Sequence, residues 1–204
     1  MFLDEPILSK SGRISLVPPS ESDDPAVAIL RSAPETRRYL RFLPENLPVA
    51  AVAARRVSRS TDPSLVDFHI HTSPAGALVG STGIFNIDTH YGNGCEVGIL
   101  VLPEHARSGV ATDALYTVLE YVFETRGMNR AEFQTGADNA PMRGWLERTG
   151  ARLEGVRKSV WKDPATGGYS DVCLYGLIKE EWEGGVKESL EKRIFSWSPT
   201  VEIM

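Results

Sequence analysis

The sequence predicts an α/β (α+β) fold in which a mixed, mostly antiparallel central sheet of about seven strands is flanked by helices. Two patterns support this prediction. Val66–Thr72 alternates apolar and polar residues, which is the period of a half-buried strand. Between positions 111 and 123, apolar residues instead recur three and four positions apart, as in an amphipathic helix. A chain of 204 residues suits one large domain that holds both kinds of element.

The first elements are predicted to be a strand and then helices. The strand is Ile14–Val17, and the two prolines that follow it end it. Three helical stretches come next, near residues 26–30, 35–42 and 49–56. Pro44 closes the second of them, and the third is rich in alanine, a strong helix former.

The middle and later parts of the chain complete the predicted sheet. Turn residues separate three strands, which we expect to form an antiparallel meander at 66–72, 78–87 and 96–102. The long helix starts near Gly109 and ends at Gly127. The last predicted elements are a strand, a short helix and two strands joined by a hairpin, at 131–135, 139–150, 152–161 and 171–177.

The end of the chain is predicted to be an extension of the main domain. We place that domain at residues 1–182 and the extension at residues 183–204. From Glu180 onward the extension is charged, and Val186, Leu190 and Ile194 give it a helical pattern.

Composition limits the partners and the compartment. The formal charge of −5 gives no general electrostatic reason to bind nucleic acid. No apolar stretch approaches the roughly 20 residues that cross a bilayer, and the first ten residues lack the pattern of a secretory signal. We therefore expect a soluble cytoplasmic protein, a monomer or homodimer, that contacts no membrane. Cys95 and Cys173 fall in strand segments and are predicted to be buried small hydrophobes.

The loop before the long helix has the chemistry of a phosphate site. Helix first turns present unpaired N–H groups and a partial positive charge. Ser108, Gly109 and Ala111 are small enough for a pyrophosphate to approach, while Arg107 and Thr112 add polar donors. Alternatively, the small residues only permit close packing at a tight connection. The loop is neither a P-loop nor a dinucleotide fingerprint.

This loop resembles the acetyl-CoA loop of the GNAT superfamily, Gln/Arg-x-x-Gly-x-Gly/Ala after a strand ending near Val-x-Pro. Val101-Leu102-Pro103 and Gly109-Val110-Ala111 match that pattern. Further matches resemble the branch that acetylates ribosomal-protein N-termini (RimJ/RimL-like) and various small amines. They run in order along the chain as Asn139, Trp145-Leu146-Glu147, Thr149-Gly150-Ala151, Leu153-Glu154-Gly155, Ser170-Asp171-Val172, Tyr175-Gly176-Leu177 and Glu181-Trp182.

The resemblance implies an N-acetyltransferase that uses acetyl-CoA as co-substrate. Such an enzyme acetylates a primary amine, on a protein N-terminus or a small molecule, and the amine attacks the thioester directly. An alternative is a non-catalytic acyl-CoA sensor with the same fold. The resemblance also implies the cofactor-binding residues, which are Leu100, Val101, Arg107, Ser108, Gly109, Val110, Ala111, Thr112 and Asn139. It places the acceptor site between residues 38–47 and the hairpin at 163–169.

Glu96 is the candidate catalytic residue, a base that acts on the amine through a water, as is usual in the family. The alternatives are that Glu96 is a solvated carboxylate at a strand start, or that the base is one of the histidines, which are His69, His71, His90 and His105. Three positions depart from the family pattern. Ala106 replaces the first loop residue, Met142 replaces a serine of some relatives, and Leu146 replaces a tyrosine that protonates the thiolate. The acid for the leaving group is therefore unassigned.

Two further sets of residues are given structural roles. His69 and His71 lie on one strand face like a metal pair, but no Cys or carboxylate joins them at a familiar spacing, so no metal site is predicted. The four histidines are expected at the surface. Trp145, Trp161 and Tyr175 fall on apolar faces and are predicted to be core residues.

Overall fold

The computed structural model describes residues 5–196 and contains one eight-stranded sheet. The strands are β1 Ile7–Leu8, β2 Ile14–Val17, β3 Val66–Thr72, β4 Leu78–Asp88, β5 Gly94–Val101, β6 Arg130–Gly136, β7 Arg152–Lys162 and β8 Tyr169–Ile178. Their spatial order is β1-β2-β3-β4-β5-β6-β8-β7. Only β5 and β6 pair in parallel, so the predicted mostly antiparallel sheet is confirmed. The additional strand is β1, whose two residues are too short to show an alternating pattern.

Helices flank this sheet, and a short one begins directly after β8. The helices are α1 Asp24–Ser32, α2 Pro34–Arg37, α3 Val49–Ser60, α4 Val110–Glu120, α5 Ala140–Thr149, α6 Lys179–Glu181 and α7 Lys187–Ser196. A wider helical turn, Tyr121–Thr125, extends α4 almost to Gly127, where the sequence places its end. Within the described range, no helix is long and apolar enough to cross a membrane.

The predicted helix at 35–42 is wrong beyond Arg37, where α2 ends. The chain turns instead, and the Leu43 N–H donates to the Leu40 carbonyl at 2.9 Å. The Arg37 side chain donates from Nε to the Leu43 carbonyl at 3.3 Å. Leu43 is only 5% exposed, so burial of this side chain outweighs the helical preference of the segment.

The main core lies between the sheet and α4, which presents a continuous buried stripe to the strands. Leu115, Val118 and Leu119 of this helix are at most 1% exposed. They pack with inward residues of β2 to β6, including Phe68 and Phe133. The amphipathic pattern in the sequence therefore faces the sheet as predicted.

The predicted helical tail is helical in α7 and packs into the same core. Leu190 and Ile194 are buried at 1% and 2% exposure, and α7 contacts α4. Gly185, with φ of 140°, kinks the chain just before this helix. The division at 182/183 stays a prediction, and residues 197–204 lie outside the described part.

The sheet parts in the middle, between β5 and β6. Their parallel pairing is limited to Gly94 with Arg130, Cys95 with Ala131 and Glu96 with Glu132. Beyond Glu96, β5 continues to Val101 with β4 as its paired neighbour. The edge of β5 that faces β6 therefore opens into a cleft that begins at Glu96.

Candidate functional site

Glu96 lies at the point where the two strands part, and it is held by two amide side chains. Asn86 Nδ2 and Gln134 Nε2 each donate to Glu96 Oε2 at 3.0 Å. Burial of the carboxyl raises the pKa of Glu96, and the charge of Glu132 adds to that effect, while the two amide donors oppose it. A positioned carboxylate with a raised pKa has the properties of a general base.

The Glu96 side chain lines a cavity of about 420 Å³ that occupies the sheet face toward α1 and α3. The strand register places several cavity residues on this face. Glu96 pairs with Phe85, and Gly98 pairs with Gly83, which in turn pairs with Asp67. Across the parting strands, Gln134 also lines the cavity. Residues of seven elements, α1, α3 and the strands β3 to β7, therefore line the cavity that the candidate base faces.

The loop after β5 leads into the start of α4, where the sequence predicts a diphosphate cradle. Gly109 precedes the helix with φ of 86°, and Arg107 also has a positive φ, 59°. Left-handed residues in such a turn direct successive N–H groups toward one point. By helix geometry, the N–H groups of Val110, Ala111 and Thr112 have no carbonyl acceptor within α4. These donors and the small residues around them fit the diphosphate of a coenzyme A.

Three other predicted cofactor residues already make internal hydrogen bonds. The Ser108 hydroxyl donates to the His105 carbonyl at 2.6 Å, and Thr112 Oγ1 accepts from Trp145 Nε1 at 3.1 Å. Asn139 caps α5 by accepting from the Met142 N–H at 3.3 Å, and it donates to Thr135 Oγ1 at 3.0 Å. These side chains hold the loop and the helix ends in place. The hydrogen-bond donors that remain for a diphosphate are the backbone N–H groups.

Leu100 and Val101 lie at the far end of β5, on the open edge of the cleft. Leu100 pairs with Ser81 and Val101 with Gly80, so β4 covers one edge of this segment. An extended chain in the cleft would meet the other edge as an additional strand does, which is the position that the family resemblance assigns to the pantetheine arm.

One of the two segments predicted to form the acceptor site closes the cavity. Leu40, Phe42 and Leu43, which belong to the 38–47 segment, line it. Phe42 meets Trp161 edge to face, with ring centroids 5.2 Å apart. An Arg41–Asp138 ion pair ties this segment to the residues before α5.

The other segment predicted to shape the acceptor site lies outside the lining of this cavity. The hairpin residues 163–169 do not line the cavity, whereas Trp161, just before them on β7, does. The assignment of Trp161 to the core is therefore wrong, because the Phe42 contact holds its ring at the cavity wall. Trp145 and Tyr175 are buried as predicted, at 7% and 1% exposure.

The histidine pair on β3 has a carboxylate partner that sequence spacing did not reveal. Asp23 Oδ2 lies 2.7 Å from His69 Nδ1 and 3.0 Å from His71 Nε2. His69 is 6% exposed, so the expected surface location is wrong for this residue. Burial lowers the pKa of His69, which leaves a neutral imidazole donating to an ionised Asp23 at neutral pH. These three groups could also ligate a metal ion, since their ligand atoms lie within 4.8 Å of one another.

Two other predictions concern thiols and the acid for the leaving group. Both cysteines are buried, as predicted, and burial raises the pKa of Cys95 to about 12. Among the described residues that line the cavity there is no tyrosine. The buried Tyr175 hydroxyl donates to Glu147 Oε1 at 2.8 Å and accepts from Arg143 Nε at 3.2 Å, so it is engaged away from that wall.

Several residues that line the cavity or bond to Glu96 were not found from the sequence. Gln134 and Asn86 lie 38 and 10 positions from Glu96, and only strand pairing brings them to its carboxylate. Arg31 lies near the end of α1, and Arg55 is one of three arginines of α3, so nothing local marks them.

Comparisons with known proteins agree with this geometry. The profile described as an acetyltransferase (GNAT) domain matches residues 13–152. YdaF of Bacillus subtilis (strain 168), named as a candidate ribosomal N-acetyltransferase, is 30% identical over 110 residues. That match covers 53% of this chain and 58% of YdaF, so the chain spans less than two thirds of that relative.

Solved structures share the fold. RimJ of Mycobacterium smegmatis, in complex with CoA-disulfide, superposes with a TM-score of 0.76 at 21% identity, covering 93% of each chain. Spermidine N-acetyltransferase of Vibrio cholerae, in complex with CoA and spermine, gives 0.75 at 17% identity, covering 84% of this chain and 98% of that one. The profile match spans most of the sheet, the parted strands and the α4 loop, and the chain therefore belongs to the GNAT family of acetyl-CoA-dependent N-acetyltransferases, with similarity to its RimJ-like branch.

Proposed function

We propose that this protein transfers the acetyl group of acetyl-CoA directly to a primary amine bound in the 420 Å³ cavity, with Glu96 as the general base. The observation that supports this most is the position of Glu96, which lies at the parting of β5 and β6 and lines the cavity. A donor held in the cleft and an acceptor held in the cavity would meet at this residue.

Deprotonation of the amine is the step that requires a base. A lysine-like amine, with a pKa of about 10.4, costs roughly 4 to 5 kcal/mol to deprotonate at pH 7. Glu96 accepts that proton through a water, and Asn86 and Gln134 hold its carboxylate for the transfer. An α-amine with a pKa of about 8 needs less help.

The neutral nitrogen then attacks the thioester carbonyl, and the tetrahedral intermediate collapses with cleavage of the C–S bond. A backbone N–H on the open edge of β5 stabilises the oxyanion. Glu96 passes the first proton on to solvent and then takes the second proton of the nitrogen through the same water, while the thiolate takes a proton from solvent. A thiol with a pKa of about 8.5 leaves readily, so the reaction proceeds without a tyrosine acid.

We assign the binding of acetyl-CoA to the residues that were predicted from the sequence. The N–H groups at the start of α4 hold the diphosphate, with Arg107 and Gly109 shaping the turn. The acceptor is a protein N-terminus or a small-molecule amine. A cytoplasmic location and a monomeric or homodimeric state stay predictions.

The test of this function compares the wild type with Glu96→Gln in a free-thiol assay, using acetyl-CoA and a panel of amines. Glutamine retains the size of the side chain but cannot accept the proton, so kcat/KM should fall on the order of 10²- to 10⁴-fold. Acetyl-CoA affinity, measured by calorimetry, should change less than threefold. A Glu96→Gln enzyme with wild-type turnover would overturn the assignment of the base.

Glu104→Gln is the matched control for this test. Glu104 is an exposed carboxylate outside the cavity lining, in the turn after β5. The control removes one negative charge without touching the proposed base, so its turnover should match that of the wild type.

A further inference from the structure

The cavity that receives the acceptor contains an excess of positive charge. Four arginines and three carboxylates line it, and two of the arginines are neutralised. Arg56 makes a two-bond ion pair with Asp24, both bonds at 2.9 Å. Arg59 makes another with Asp67, at 2.5 and 2.7 Å. Those pairs leave Arg31, Arg55 and Glu96 as the remaining charged groups of the lining.

Arg31 and Arg55 have no carboxylate of their own. Across residues 5–196, no salt bridge reaches either guanidinium, and Asp67 acts on both only at longer range while it is bonded to Arg59. Burial, together with the neighbouring charges of Arg55 and Arg59, lowers the pKa of Arg31 to about 10. Desolvation and the charge of Arg59 also lower the pKa of Arg55. Arg31 is half-buried and Arg55 is exposed, and both line the same cavity. Two like charges on one cavity wall repel each other unless an anion joins them.

We propose that Arg31 and Arg55 form a binding subsite for an oxyanion of the acceptor, so that the preferred substrate is a primary amine carrying a carboxylate or phosphate group. This inference rests on the proposed function of the cavity. Planar guanidiniums bind both oxyanions through paired N–H donors, and two unpaired forks supply the charge that either group requires.

The strand register sets how far the oxyanion lies from the amine. Asp67 is two strands from β5, opposite Gly98, and Gly98 is two residues from Glu96. With about 4.8 Å between strands and about 3.4 Å per residue, Asp67 lies roughly 12 Å from Glu96. Asp67, whose charge acts on both arginines, therefore marks a side of the cavity that is remote from the base, and we place the arginine subsite on that side. The acceptor carries its anion several bonds from the reacting nitrogen, which excludes the adjacent carboxylate of a free α-amino acid.

The test compares three amines that share a six-carbon chain, together with spermidine as a polycationic amine. ε-Aminocaproate and aminohexyl phosphate carry the two oxyanions, and hexylamine carries neither. The enzymes are the wild type, Arg31→Gln, Arg55→Gln and the double variant. Arg157→Gln is the control, because Arg157 is an exposed β7 residue outside the cavity lining and its replacement removes the same charge.

We expect the wild type to prefer an anionic amine over hexylamine and over spermidine. The ratio of kcat/KM for the anionic amine to that for hexylamine should fall at least tenfold in each single variant, through KM, and further in the double variant. Arg157→Gln should keep the wild-type ratio. The ratio for ε-aminocaproate compared with that for aminohexyl phosphate identifies which oxyanion the subsite takes.

Three results would overturn the subsite. The first is a double variant whose ratio stays within twofold of the wild type. The second is a wild type that prefers spermidine. The third is a loss of coenzyme A affinity in the arginine variants, which would place these side chains at the donor.

Failure of the subsite can be separated from failure of the proposed function. If the wild type releases no thiol with any amine, calorimetry with ε-aminocaproate and aminohexyl phosphate in the presence of coenzyme A decides. Binding that the double variant loses supports the subsite, and absence of binding to the wild type overturns it.

Discussion

At the scale of single residues, Glu96 shows what a sequence can and cannot reveal about a site. Its position at the start of a strand near the cofactor loop follows from the pattern of the chain. Its environment does not, because Asn86 and Gln134 reach its carboxylate only through strand pairing. The same holds for Asp23, which joins His69 from 46 positions away. The type of a side chain can be read from the sequence, whereas the partners that position it and shift its pKa come from distant positions in the chain.

The raised pKa of Glu96 gives a prediction about pH dependence. Below the pKa of the acceptor amine, log kcat/KM should fall with a slope of 1, because the amine becomes protonated. When pH falls through the pKa of Glu96, which lies above 4.5, the base is also protonated and the slope should increase to 2. Rate profiles of wild type and Glu96→Gln check this, since the variant should keep a slope of 1 throughout.

Glu132→Gln provides the internal control for that profile. The negative charge of Glu132 contributes to raising the pKa of Glu96, so its removal should move the change of slope to lower pH. A profile that is identical in wild type and Glu96→Gln would contradict the role of the carboxylate.

At the scale of elements, α4 was the most predictable part of the chain and α2 was among the least. The period of α4 extends over three turns and matches a buried stripe, so pattern and packing agree. The predicted second helix ended at Arg37 because Leu43 and Phe42 are held by contacts with other parts of the molecule. The turn before α4 was also predictable, since small residues at a helix start serve both packing and anion binding.

Gly109 allows the charge requirement of that turn to be separated from its shape. Gly109→Glu and Gly109→Gln add side chains of nearly equal size, and both meet the same strain at φ of 86°. Both should weaken coenzyme A binding. Glutamate should weaken it at least tenfold more, because its charge opposes the diphosphate at the positive end of α4. Calorimetry on folded variants measures the difference, and equal affinities would contradict the site.

At the scale of the whole molecule, the sequence predicted the layers but not the strand order. The antiparallel meander β3-β4-β5 follows from short turns between its strands. The parallel β5/β6 pair and the insertion of β8 between β6 and β7 depend on pairing across long connections. Likewise, the tail packs its apolar stripe against α4, although its helical pattern alone does not say which surface it covers.

The tail therefore contributes to stability. Leu190→Ala should lower the free energy of unfolding by about 2 to 5 kcal/mol, because it leaves a cavity beneath α7. Phe195→Ala, on the same helix but 61% exposed, should change it by roughly 0.5 kcal/mol or less. Urea denaturation followed by fluorescence compares the two. Equal, small effects would show that residues after 182 form a separate extension.

The short contact between β5 and β6 has a consequence for how donor and acceptor influence each other. Three residue pairs join the β1–β5 half of the sheet to the β6-β8-β7 half, and the proposed base belongs to the last of them. Acetyl-CoA bound in the cleft would contact both halves of the sheet, as an additional strand between them would. Acetyl-CoA would then set the distance between the two halves, and with it the distance between Glu96 on one half and Gln134 on the other.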